Sequence, residues 1–70
     1  MSFVINDIML ALEDAYYDVA IESEDFDYVE IVVSGDLDEM EVVEIIEENG
    51  GEVDQYFMQN DSTMKIGILI

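Results

Sequence analysis

Tyr28-Val29-Glu30-Ile31-Val32-Val33-Ser34, then Gly35, then the run from Asp36 to Gly51, is the stretch whose reading decides the fold. Val29, Ile31 and Val33 alternate with Tyr28, Glu30 and Val32, a period of two that puts one apolar row on a single face of a strand. The period then changes. Val42, Ile45 and Ile46, with Val43 at the margin, recur at helical spacing and predict an amphipathic helix. Asp36 is its expected N-cap, with Glu39 three residues on as a capping-box-like partner. The helix is expected to run to about Asn49, where Gly50-Gly51 supplies a left-handed stop.

Outward from this centre, residues 52–59 and 64–70 read as a hairpin across Asn60-Asp61-Ser62. Met64, Ile66, Ile68 and Ile70 take one face of its second strand; Lys65, Gly67 and Leu69 take the other. Toward the N-terminus, residues 23–27 read as a turn and residues 16–22 as a strand, with Tyr17, Val19 and Ile21 on one side. A rival reading continues the first helix to Val19, because Leu12, Ala15, Tyr16 and Val19 also fit a helical period; the strand is preferred because Tyr, Val and Ile favour it and a hairpin partner follows. Residues 3–14 form the first helix, with Ile5, Ile8, Met9 and Leu12 on one face, Asp7 and Asp14 opposite with Leu10 between them, and Ser2 as the expected N-cap.

The order α-β-β-α-β-β predicts an α+β fold: a four-stranded antiparallel sheet with two helices on one face, an order that a circularly permuted ferredoxin-like arrangement also gives. The two α-β-β halves are alike in layout, with no repeat evident in the residues themselves. At 70 residues the chain is read as one acidic α+β domain, 1–70. A chain this short buries only about 60% of its unfolded surface, yet 51% of its residues are hydrophobic, which excludes a disordered acidic tail.

Charge is the anomaly. Nineteen Asp and Glu stand against one basic residue, Lys65, for a formal net charge of −18. Such a surface repels nucleic acid and anionic membrane, so the expected partners are basic proteins or cations. The absence of Cys and His excludes disulfides, a thiol nucleophile, a histidine base and the usual zinc sites. No basic residue lies in the first twenty, as a signal peptide would need, and no apolar run approaches the roughly 18 residues of a membrane span. A cytoplasmic location is expected.

Three features are candidate sites. The first is the acidic stripe on the second helix: Glu41, Glu44 and Glu48 with Glu47 beside them, and Asp36, Asp38 and Glu39 near the N-terminus. Acids suit the first turn of a helix but oppose the dipole in the last, where Glu47 and Glu48 sit. The spacing of about 6 Å per turn is similar to successive phosphates along a strand. The second is the turn Glu24-Asp25-Phe26-Asp27, flanked by Glu22 and Glu30, in which Phe26 is either a docking anchor or folds back onto the core. An EF-hand reading from Asp25 fails, because Glu30 and Asp36 occupy the places of its glycine and its closing glutamate. The third is the sheet face away from the helices, expected to expose Tyr28 and Val32, joined by Tyr16, Tyr56, Met58 and Leu69, a patch of the kind that mediates dimerisation or partner binding. No Gly-rich phosphate loop, serine nucleophile motif or metal-ligand spacing is present, so no catalysis, cofactor or metal is expected.

In small size, acidity and lack of catalytic residues the chain is similar to phage-encoded DNA mimics, among them inhibitors of restriction enzymes, of uracil-DNA glycosylase and of CRISPR effectors. That resemblance of type implies an anti-restriction or anti-CRISPR inhibitor working in the host cytoplasm. Its partner would be a basic nucleic-acid-binding protein, of nuclease or CRISPR effector type. Glu41, Glu44, Glu47, Glu48, Glu24, Asp25 and Asp27, with Asp38, would pair with that partner's Lys and Arg, and Phe26 or an exposed Tyr would be the anchor. The alternatives are a small halophilic domain whose charge serves solubility and a homodimeric interaction module. Nine Ile, five Met and three Asn against three Ala, one Thr and no Arg point to an AT-rich coding source, unlike GC-rich halophiles.

Overall fold

The computed structural model describes residues 3–70, with side chains from Val4 onward; the expected cap at Ser2 lies outside the described residues. Helix α1 spans Phe3–Asp14, strands β1 and β2 span Asp18–Glu24 and Tyr28–Ser34, helix α2 spans Glu39–Glu48, and strands β3 and β4 span Glu52–Asn60 and Thr63–Leu69. The four strands form one antiparallel sheet in the order β1-β2-β4-β3. Moving β4 to the front of the chain would give β-α-β-β-α-β, the ferredoxin-like order.

The alternation read from the sequence decides what the sheet buries. Val29, Ile31 and Val33 of β2 pair with Ile68, Ile66 and Met64 of β4, and all six are at most 1% exposed. They form one apolar cluster with Ile5, Ile8 and Leu12 of α1 and Val42 and Ile46 of α2, so both helices lie on the same face. Met9, Val43, Ile45 and Met58 pack around it. No helix among the described residues is long and apolar enough to cross a membrane.

Several boundaries differ from those expected, each for a physical reason. The first strand is Asp18–Glu24, not 16–22, because Tyr16 sits in the left-handed region (φ 70°) and ends α1 there. The rival helical extension to Val19 is thereby excluded. The connecting turn contracts to residues 25–27, where the Asp25 N–H donates to the Tyr28 carbonyl (2.8 Å). The N-cap of α2 is Asp38, not Asp36: its side chain accepts from the Met40 and Glu41 N–H groups at 3.1 and 3.3 Å. The second hairpin turns on Asp61 and Ser62, with Asn60 Oδ1 accepting from the Ser62 N–H (2.9 Å).

The largest departure is in β3. An extra residue at Asp54 interrupts the register between Val53 and Gln55. It moves the side chains from Gln55 to Met58 to the other face, until a second irregularity between Met58 and Asn60 ends the inversion. Tyr56 and Met58 therefore pair with Ile66 and Met64 on the helix side, and Phe57, opposite Lys65, faces outward in their place.

The two halves are related by a pseudo-twofold axis through the central pair Ile31–Ile66. Helix α1 closes with Tyr17 N–H to the Leu12 carbonyl and Tyr16 N–H to the Glu13 carbonyl; α2 closes with Gly51 to Ile46 and Gly50 to Glu47, the same two bonds 34 positions on. The Val19–Val33 and Ile21–Ile31 pairs recur as Val53–Ile68 and Tyr56–Ile66. From Asn6–Ala20 to Met40–Asp54 the pattern of buried, half-buried and exposed positions is the same, residue for residue.

Candidate acidic interface

The strand order and registers decide which of the candidate acidic residues share an end of the sheet. Tyr28, Leu69 and Glu52 lie side by side across β2, β4 and β3, and the Ile70 N–H donates to the Asp27 carbonyl (3.0 Å). The turn Asp25–Asp27 is therefore at the end of the sheet where β3 begins. Helix α2 leads into β3 through Asn49-Gly50-Gly51, so its last turn ends there too. The structure thus brings Glu47 and Glu48 to the same end as Glu24, Asp25, Phe26 and Asp27, all of them exposed.

Asp38 and Glu41 go to the opposite end, where β1 begins, and are occupied. The Tyr17 hydroxyl donates to Glu41 Oε1 (2.8 Å) and accepts from the Asp38 N–H (3.3 Å). Burial and the Glu41 carboxylate raise the Tyr17 pKa above its ordinary 10.0. This part of the expected stripe holds the start of α2 against β1. Glu44 lies between the two ends, exposed.

Phe26 does not fold back: it is 99% exposed, on a turn whose Asp25 carboxylate accepts the Phe26 N–H (3.1 Å). Tyr16 is not part of the sheet face; it stands at the α1 stop, 93% exposed, in a backbone conformation whose symmetry mate is Gly50. An exposed aromatic where the backbone favours glycine is a functional candidate that its period-two reading concealed.

The pseudo-twofold adds acids that the sequence reading left out. Asp7, Glu13, Asp14 and Asp18 occupy the places of Glu41, Glu47, Glu48 and Glu52, all exposed. Their constant spacing of 34 is visible in the bare sequence once the halves are laid side by side, and α1 becomes as much a part of the anionic layer as α2.

The countercharge is on the other side of the molecule. Lys65 lies on the sheet face away from the helices, with Nζ 2.9 Å from Glu22 Oε2 and 4.0 Å from Glu30 Oε2. The Glu22 hydrogen bond is the main cause that raises its pKa above 10.5. Among the described residues no three or more carboxylates are grouped so as to hold a metal ion. The chain matches no family model, and comparison with curated proteins and with solved structures finds no match in either.

Proposed function

We propose that the protein inhibits a basic nucleic-acid-binding protein by occupying its nucleic-acid cleft, with carboxylates standing for phosphates. The observation that carries the reading is the segregation of charge. The one lysine is bound on the open sheet face, while exposed positions of both helices and the 24–27 turn carry carboxylates with no cation beside them among the described residues. Glu47 and Glu48 hold this pattern at a helix end that stability would rather furnish with Lys. The contact end is Glu47, Glu48, Glu24, Asp25 and Asp27, with Glu44 extending it along α2 and Phe26 as the aromatic anchor. On this reading the protein is a phage or mobile-element anti-defence protein, and its target is a nuclease or CRISPR effector met in the host cytoplasm.

The test is retention of proteins from a bacterial lysate on the immobilised chain in dilute buffer, followed by elution with duplex DNA. Release of DNA- or RNA-binding proteins by the duplex, with retention falling steeply in salt, supports the reading. Retained proteins that duplex DNA leaves in place would overturn it. Equal retention by a Glu47→Lys/Glu48→Lys chain would remove the α2 end from the contact.

One observation favours a halophilic reading instead: exposed carboxylates occupy α1, α2, β1, β3 and the turns alike. Melting in dilute and in multimolar KCl separates the two. A chain that folds only in molar salt is halophilic; one that folds in dilute buffer leaves its charge free for recognition.

A further inference from the structure

The face of the sheet opposite the helices carries its own pattern. Ala20, Val32, Lys65 and Phe57 lie in one row across β1, β2, β4 and β3, because Ala20 pairs with Val32, Val32 with Lys65 and Lys65 with Phe57. Tyr28 and Leu69 form a second apolar step on the same face. Phe57 is 55% exposed and Leu69 36%, and neither belongs to the core cluster. Glu30 and Gly67 pair between the two steps, with Glu30 beside Lys65, and the flanks of the belt are acidic: Asp18 and Glu22 toward β1, Glu52 and Asp54 toward β3. Lys65 is held by Glu22 and Glu30 and neutralises only part of one flank.

We infer that this face docks an amphipathic helix of a partner protein, one with an apolar stripe flanked on both sides by Lys or Arg. Charge complementarity selects this occupant. A helix lying on the sheet sets its apolar stripe on Val32, Phe57 and Leu69 and its basic flanks against the two acidic margins. A second copy of the chain is a poor occupant, because a symmetric face-to-face pairing brings acidic margins onto acidic margins around an already paired lysine. The edges are poor sites for strand addition, because a bulge interrupts each edge strand and β1 carries Asp18, Glu22 and Glu24. The docking face itself uses none of Glu44, Glu47, Glu48 or the 24–27 turn, and so stands apart from the proposed acidic contact end.

The probe is a synthetic Leu/Lys peptide of about four helical turns with all its leucines on one face, compared with a peptide of the same composition whose leucines are scattered. Amide chemical shifts of the 15N-labelled protein report the contact. The expected result is saturable shifts at Ala20, Val32, Phe57, Lys65 and Leu69, with at least about tenfold weaker binding of the scattered peptide. Phe57→Asp and, separately, Leu69→Asp each weaken the amphipathic peptide about tenfold while retaining the native amide spectrum, and Glu44→Lys/Glu48→Lys leaves it within about twofold. Equal binding of both peptides, or shifts confined to the helices, would overturn the proposal, because plain charge attraction gives those results. A concentration-dependent dimer in light scattering that Phe57→Asp abolishes would also overturn it, assigning the face to a second copy.

Discussion

Replacing Glu48 by Lys should stabilise the isolated protein, and the size of the gain measures how far the last turn of α2 departs from what folding alone would choose. Glu48 ends α2, follows Glu44 by one turn, and lies where the described helix carries no basic residue. The substitution removes a like-charge i,i+4 repulsion of about 0.2–0.5 kcal/mol and installs an attraction of about the same size in the favourable Glu-then-Lys orientation. It also changes an unfavourable dipole interaction of about 0.3–1 kcal/mol into a favourable one. The sum is about 1–3 kcal/mol in dilute buffer, or about 7–20 °C in Tm for a chain of this size. Glu39→Lys is the control. It changes the net charge identically but places Lys in the first turn, so its difference from Glu48→Lys cancels the relief of overall repulsion. The assay is thermal and urea melting in dilute buffer and in 1 M NaCl, where a screening length of about 3 Å removes most of the effect. The reasoning fails if Glu48→Lys does not melt above both the parent and Glu39→Lys in dilute buffer, or if its gain survives intact in 1 M salt.

Three further substitutions follow from named contacts. Tyr17→Phe removes the hydroxyl shared by Glu41 and the Asp38 N–H and should cost about 1–2 kcal/mol in a urea melt. The native state holds the Tyr17 proton more tightly than the unfolded chain. The parent therefore loses this contribution as pH rises above 10.0 and through the raised value, and Tyr17→Phe should show a shallower alkaline loss of stability; Lys65, also raised, adds a loss of the same sign to both proteins. A Cβ on Gly67 would lie 2.7 Å from Tyr28 Cζ. Gly67→Ala should thus cost about 1–3 kcal/mol, and much less in a Tyr28→Ala background if the ring is the obstacle. Tyr16→Gly should raise stability by about 0.5–1 kcal/mol, since the ring is exposed and the left-handed backbone suits glycine; lost target binding in the same variant would make Tyr16 a contact residue.

The helix and strand order was legible because each element keeps one clean period: two in Val29-Ile31-Val33 and Met64-Ile66-Ile68, and the helical one in Val42-Ile45-Ile46. Features that depend on a single backbone choice were not. Asp36 and Asp38 are chemically equivalent caps, and the choice falls on Asp38, whose N–H is bonded to the Tyr17 hydroxyl from a distant part of the chain. The inserted residue at Asp54 leaves no mark in composition, yet it exchanges Phe57 for Tyr56 and Met58 on the open face. The twofold relation was hidden because its halves share burial and not residue type: Leu10 corresponds to Glu44, and Tyr16 and Tyr17 correspond to Gly50 and Gly51. For the acidic interface the stripe itself was legible, but its division was not. Glu47 and Glu48 join the 24–27 turn only through the strand order, and Glu41, though exposed, leaves the contact set only through its bond to Tyr17.

The lone lysine also decides how the chain meets a protease. Trypsin cuts after Lys or Arg, and here the one such bond is Lys65–Ile66. It lies inside β4, hydrogen-bonded to strands on both sides, with Ile66 at 0% exposure. Fraying of a helix, a turn or an edge strand does not deliver this bond to the enzyme; the sheet has to come apart. Tryptic cleavage of this protein therefore counts complete openings of its fold and nothing smaller, a readout of global stability that requires neither label nor denaturant.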